Sequence, residues 1–144
     1  MNDIAKLARI QIAVIATFLM NKAVFRPYIL ENDLPETLNI FVWSYSNFCE
    51  AIVGTLTITS IGLVLNQRYK NRLNFKETYV YLIATILAAV YVITQELKIH
   101  NLGGQNVYDP FDVLFSVIGL IVAYMVLMII KPKVLENRPV SQLL

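Results

Sequence analysis

Apolar residues fall into four long runs, at about 4–25, 40–65, 79–97 and 113–130, with short polar or proline-containing breaks between them. Each run is close to the roughly 20 residues that an α-helix needs to cross a hydrocarbon core. Lys6 and Arg9 stand near enough to the start of the first run to snorkel to the interface. The breaks hold Pro27 and Pro35, then the polar stretch from Asn66 to Lys76, then Gly103, Gly104 and Pro110; Lys131-Pro132 ends the last run. The pattern predicts an all-α fold: one membrane domain over 1–144, built as a four-helix transmembrane bundle with a tail at 131–144. No internal repeat or low-complexity segment interrupts it.

Composition agrees. The 144 residues are 57% hydrophobic and 15% charged, where a soluble chain is about a quarter charged. Mean hydropathy is +0.59. A soluble domain of this size has too little polar surface to cover so much apolar area, which excludes an ordinary cytosolic enzyme, a disordered chain and a nucleic-acid binder. A single cysteine, Cys49, and a single histidine, His100, rule out a disulfide framework, a cysteine-zinc cluster and a multi-histidine site. The sequence calls for no metal and no cofactor.

The charge distribution orients the bundle. Lys6 and Arg9 precede the first run, Arg68, Lys70, Arg72 and Lys76 lie between the second and third, and Lys131, Lys133 and Arg138 follow the fourth. The other side carries only Lys22, Arg26 and Lys98. By the positive-inside rule both termini are expected to be cytoplasmic, with loops 26–39 and 98–112 facing outward. The first run resembles a signal peptide in its basic start, but lacks a convincing small-residue cleavage site and is expected to stay as an anchor. Aromatic residues fit an interfacial belt: Phe25, Tyr28, Phe41, Trp43, Tyr45, Tyr108 and Phe111 at the outer interface, Tyr69, Phe75, Tyr79 and Tyr81 at the inner one. The basic loop from Arg68 to Arg72 fits orientation and anionic headgroups better than nucleic acid.

This topology aligns the acids. Glu50 lies within the second run, Glu96 ends the third, and Asp109 and Asp112 open the fourth, all toward the outer side. Helical spacing puts Asn47, Glu50, Gly54 and Thr57 on one face of the second span, and Asp109, Asp112, Ser116, Gly119 and Ala123 on one face of the fourth. Glu96, Val92, Ala89 and Thr85 share a face of the third. Small residues let membrane helices approach closely, so the three stripes are expected to face one another, their polar ends lining one pocket. A carboxylate at lipid depth costs roughly 2.5–3.5 kcal/mol or more and needs a partner or water. Glu50 is therefore either a packing residue, held by Asn47 or Arg26, or a ligand or proton site; Asp112 has the same two readings. Asp109 before Pro110 suits a helix cap. Clustered acids cannot all stay ionised without a cation; of Lys22 and Arg26, with Lys98 in reserve, Arg26 is expected near Glu50 or Glu96, or else a bound cation or a protonated Glu50 takes its place. An acid cluster also suits a divalent cation. His100 reads as an interfacial surface residue and Cys49 as apolar filler.

The segment from Gln95-Glu96 to Asp109-Pro110-Phe111-Asp112 and on through Ser116 to Gly119 resembles the C-terminal signature of the VanZ-like family of small bacterial membrane proteins. There a Glu ends one span, a short outward loop follows, and two Asp three residues apart precede a polar residue and a Gly in the next span. Glu96, Asp109, Asp112 and Gly119 match in type and order. Ser116 stands where Asn is usual, Asn106 where Arg is frequent and His100 where Gln is. The resemblance implies a multi-pass protein of the bacterial cytoplasmic membrane with a cell-envelope role; the family's namesake is associated with low-level resistance to glycopeptide antibiotics. The expected ligand pocket comprises Glu50, Glu96, Asp112, Asp109, Asn47, Ser116 and Arg26. It would take a lipid headgroup, a wall precursor or a cation. The competing expectation is a small accessory subunit of a membrane protein complex, its acids serving helix packing or partner pairing. A lipid-phosphate enzyme ranks lower, because no nucleophile or basic cluster accompanies the acids. Membrane lipids are the expected partners in either case, and no complete catalytic set is present.

Overall fold

A computed structural model describes residues 3–32, 34–70, 72, 75–96 and 109–134. The features expected at Lys98, His100, Gly103, Gly104, Asn106 and Tyr108, and the tail beyond 134, lie outside the described residues. The described chain is all-helical: α1 (Asp3–Met20), a π-helical turn (Asn21–Phe25), α2 (Arg26–Glu31), α3 (Glu36–Arg68), α4 (Glu77–Glu96) and α5 (Pro110–Ile130). Among them α3, α4 and α5 are long and apolar enough to cross a membrane, which makes the chain a multi-pass membrane protein. Their bounds extend the predicted runs by a few residues. At 33 residues, α3 is about 50 Å long, well beyond a hydrocarbon core of about 30 Å.

The backbone does not break at Pro27 as the sequence suggests. Residues 21–25 widen into a π turn, with the Arg26 N–H donating to the Asn21 carbonyl, and α2 follows with Pro27 in its first turn. A proline inside an α-helix removes a hydrogen bond and pushes its ring against the previous turn; a π turn relieves both. Asn21 is buried and its side-chain amide donates to the Val42 carbonyl at 2.8 Å. One turn of the same run therefore anchors on α3. Nearer the start, the Gln11 amide donates to Thr57 Oγ1 at 2.8 Å and the Val53 carbonyl at 3.4 Å.

α3 is the hub, touching α1, α2, α4, α5 and the π turn. Its buried face includes Ala51, Ile52, Thr55, Leu56, Thr59 and Leu63. The predicted stripe of α5 is the buried one, for Ser116, Gly119 and Ala123 all lie inward. The other two stripes are displaced. On α4 the buried positions are Ala84, Ala88 and Val92, one step round the helix from Thr85 and Ala89. On α3, Glu50 and Thr57 are exposed, and a methyl group built on Gly54 would meet nothing within 4 Å. Gly54 is thus no packing notch. Gly62 and Gly119 fill that role: a Cβ on Gly62 would come 2.8 Å from Val80 Cγ1, and one on Gly119 would come 2.5 Å from the Phe48 carbonyl oxygen.

At the Arg68 end, Asn66 closes the connection to α4, donating to the Phe75 carbonyl at 2.8 Å and accepting from the Phe75 N–H at 3.1 Å. α5 stops at Lys131, in the left-handed region at φ 47°. The buried Pro132 then offers its carbonyl to the Tyr81 hydroxyl at 2.7 Å. Tyr81 is therefore a core residue and no belt aromatic. The Lys133 N–H donates to Asp3, which also pairs with Lys6 at 2.8 Å. The Lys6 ammonium, then the Lys133 amide, hold the Asp3 carboxyl below its ordinary value of 3.8.

Two outcomes follow. Gly119→Ala should lower stability in detergent by about 1–3 kcal/mol, because the carbonyl it meets belongs to a helix backbone and cannot swing aside. Gly54→Ala should leave it unchanged or raise it by roughly 0.5–1 kcal/mol through helix propensity; thermal unfolding of both variants checks the contrast. The clasp at Asp3 should be complete above pH 3.8 and be lost as the pH falls through the lower folded-state value. The protection of the Lys133 amide, as its exchange rate relative to the intrinsic rate at each pH, should fall there, and Asp3→Asn should leave that protection independent of pH over the same range.

Candidate functional site

α3 and α5 run parallel, with the Phe41 and Phe115 rings in edge contact at 5.5 Å and Gly119 against Phe48 and Ala51 deeper down. α4 lies antiparallel to both, packed against each of them. Ala51, Ala88, Val92 and Leu120 form a small-residue core there. The last turn of α4 and the first turn of α5 therefore lie at the same end of the bundle. Asp109 caps α5: its side chain accepts from the Phe111 N–H at 2.9 Å and Pro110 takes the first helical position, where a missing N–H is no loss. Asp112 follows in the first turn, where the helix dipole favours a negative charge.

The carboxylates of Asp112, Glu50 and Asp109 lie near enough to Glu96 to act on it electrostatically. Three helices thus bring carboxylates to the same end of the bundle. Val92, one turn before Glu96, packs with Ala51, so Glu50 lies about one turn deeper than Glu96. Glu50 is exposed on the flank of α3, and Asn47 is half-buried beside it. Neither a hydrogen bond from Asn47 nor an ion pair with Arg26 reaches Glu50 among the described residues. No group of three or more His, Cys, Asp or Glu among those residues is gathered tightly enough to hold a metal ion.

Arg26 is not the counter-ion expected for these acids. Its guanidinium lies over the Trp43 ring, 4.5 Å from the centroid, and Nη2 donates to the Trp43 carbonyl at 3.2 Å and to Ser46 Oγ at 3.1 Å. The indole face and two neutral acceptors outcompete the carboxylate because α2, continuous with α1 through the π turn, delivers Arg26 one turn short of Glu50 along α3. Ser116 is fully buried one turn below Asp112, and its hydroxyl has no partner among the described residues. Ser44, in the same layer of the α3–α5 seam, shares that condition. Other hydroxyls in the helices bond their own backbone, as Thr55 does to Ala51, Thr59 to Thr55 and Thr85 to Tyr81.

Sequence reading passed over Gln11, Asn21 and Ser44. The signal for the first two was present, since each is a lone amide in an apolar run, and such groups must find partners within the protein. Ser44 carried no signal apart from its register on α3. No protein-family profile matches the chain, and neither a curated protein nor a solved structure matches it.

Replacing Glu96 by Gln removes a charge on which three other carboxylates act, so it should raise thermal stability in detergent by a few tenths of a kcal/mol, the gain being limited by solvent screening. Asp109→Asn should change it by a few tenths of a kcal/mol at most, since Asn also caps a helix. Unfolding midpoints at pH 8 measure both.

Proposed function

We propose that this chain is a VanZ-like integral membrane protein of the bacterial cell envelope, in which the carboxylates around Glu96 bind a cationic group on a lipid or wall-precursor headgroup. The observation that carries this reading is the grouping of Glu96, Asp112, Glu50 and Asp109 from three helices, with Arg26 engaged elsewhere. Like charges held together in a weakly solvated place need a positive group from outside the chain. A ligand ammonium fits better than a dehydrated divalent ion, which takes several oxygens at short range. Ser116, buried below Asp112 with its hydroxyl unpartnered, adds a neutral hydrogen-bonding group to the same end.

In this reading α1, the π turn and α2 make the fourth span. Along them Ile12, Leu19, Met20 and Val24 are exposed, which suits lipid contact and not water. The basic residues of the N-terminus, the α3–α4 connection and the tail then face the cytoplasm, and the acids lie in the outer half of the bilayer. The alternative of an accessory subunit draws on one observation: Glu50 is turned to the outside of the bundle, where a partner's cation could meet it.

Native mass spectrometry of the protein purified in mild detergent tests the proposal. The expected result is an amine-bearing lipid or precursor at near-stoichiometric ratio, lost about tenfold in Glu96→Gln and kept in Asp109→Asn. A stoichiometric protein partner, released by Glu50→Gln, would instead establish the accessory reading. Topology is checked by labelling a cysteine placed at position 105 in a Cys49→Ala background; reaction from the outer side is expected, and reaction only from the cytoplasmic side would overturn the orientation.

A further inference from the structure

Arg26 carries chemistry that the acid cluster does not use. Its guanidinium plane is fixed on three sides, by the Trp43 ring, the Trp43 carbonyl and Ser46 Oγ. Ser46 donates in turn to the Trp43 carbonyl at 2.9 Å, so its lone pairs are free to take the guanidinium. The Nε–H of Arg26 is shielded from solvent and meets no acceptor among the described residues. One turn before Trp43, Asn39 Oδ1 is likewise shielded and meets no donor. Asn39, Trp43 and Ser46 recur at spacings of four and three and so share one flank of α3.

These facts describe a charge held in place with no carboxylate paired to it among the described residues. An arginine stays protonated in any protein setting, and a half-buried cation with only neutral acceptors is expensive unless an anion completes it. The planar fork of N–H donors matches the oxygens of a phosphate, and the orientation imposed by Trp43 and Ser46 means that little side-chain entropy is lost on binding. Lys22, four residues before Arg26, is exposed and adds positive charge to the same run. The exposed Phe25, Tyr28 and Trp43 around it mark the depth of an interface, where lipid phosphates lie.

We infer that Arg26, held by Trp43 and Ser46, is a binding site for a phosphate group, carried by a phospholipid headgroup or free in solution, separate from the acid cluster on Glu96. It does not depend on what the acids bind.

The test uses the full chain in mild detergent and three probes: phosphatidylglycerol, a diglycosyl diacylglycerol with the same acyl chains, and inorganic phosphate at millimolar concentration. Native mass spectrometry should show phosphatidylglycerol retained about tenfold better than the phosphate-free lipid. Arg26→Gln should abolish that preference. Ser46→Asp supplies an internal counter-ion beside Nη2, so it should abolish the preference as well, while thermal stability is kept or raised; this variant decides the matter if Arg26→Gln fails to fold. Displacement of the lipid by inorganic phosphate identifies free phosphate as the ligand, and retention of the lipid identifies the headgroup. Equal retention of the two lipids by the unaltered chain, or a preference that survives Ser46→Asp, overturns the inference.

Discussion

Gly119 lets α5 settle against the backbone of α3 at Phe48 and Ala51. In lipid no hydrophobic drive pulls helices together, so close backbone approach and dispersion must do so. With α3 and α5 joined in parallel, the groove between them accepts the alanine face of α4 through Ala84, Ala88 and Val92. That lay-down is what brings the end of α4 to the start of α5 and Glu96 toward Asp112. The second glycine notch, Gly62 against Val80, fixes the opposite end of the α3–α4 pair. Side chains as small as these allow little slippage, so the relative heights of Glu50, Glu96 and Asp112 follow from the packing.

The second constraint is that polar groups at lipid depth must be met inside the protein. Most are. Threonines bond their own helices, Gln11 and Asn21 tie the first helical run to α3, and Tyr81 takes the Pro132 carbonyl. Against that background the exceptions among the described residues stand together at the Glu36 end of the bundle: the hydroxyls of Ser44 and Ser116, the Nε–H of Arg26 and the Asn39 carbonyl oxygen. The Arg68 end has the opposite character, closed by the Asn66–Phe75 pair and the Asp3 clasp. One end is built to be stable and the other is left with unmet donors, acceptors and charges, which is where a ligand gains most from binding.

Much of this was legible in the sequence. The three long helices follow from length and hydropathy, and the α5 stripe from its spacing of small residues, because a helix periodicity maps directly to a face. The α3 and α4 stripes are displaced from their expected faces because a polar residue at helical spacing need not share the face of the small ones. Glu50 and Thr57 sit beside the packed face. Pro27 reads as a break because a π turn leaves no mark in the sequence. Its place near the end of the first run, its charge and its two-donor grip point Arg26 to the acids, whereas a guanidinium also stacks on an indole and donates to neutral oxygens; its partner Trp43 lies 17 residues away, a distance no local pattern spans.

The proposed site requires carboxylates from three helices to lie within reach of Glu96. Cysteine pairs placed in membranes in a Cys49→Ala background measure this directly: Glu96→Cys with Asp112→Cys, and Glu96→Cys with Glu50→Cys, each treated with a short bifunctional thiol reagent. Efficient cross-linking of both pairs is the result expected from the packing of α4 between α3 and α5. Cross-linking of the first pair with none in the second would put Glu50 on a surface of its own and contradict a shared site.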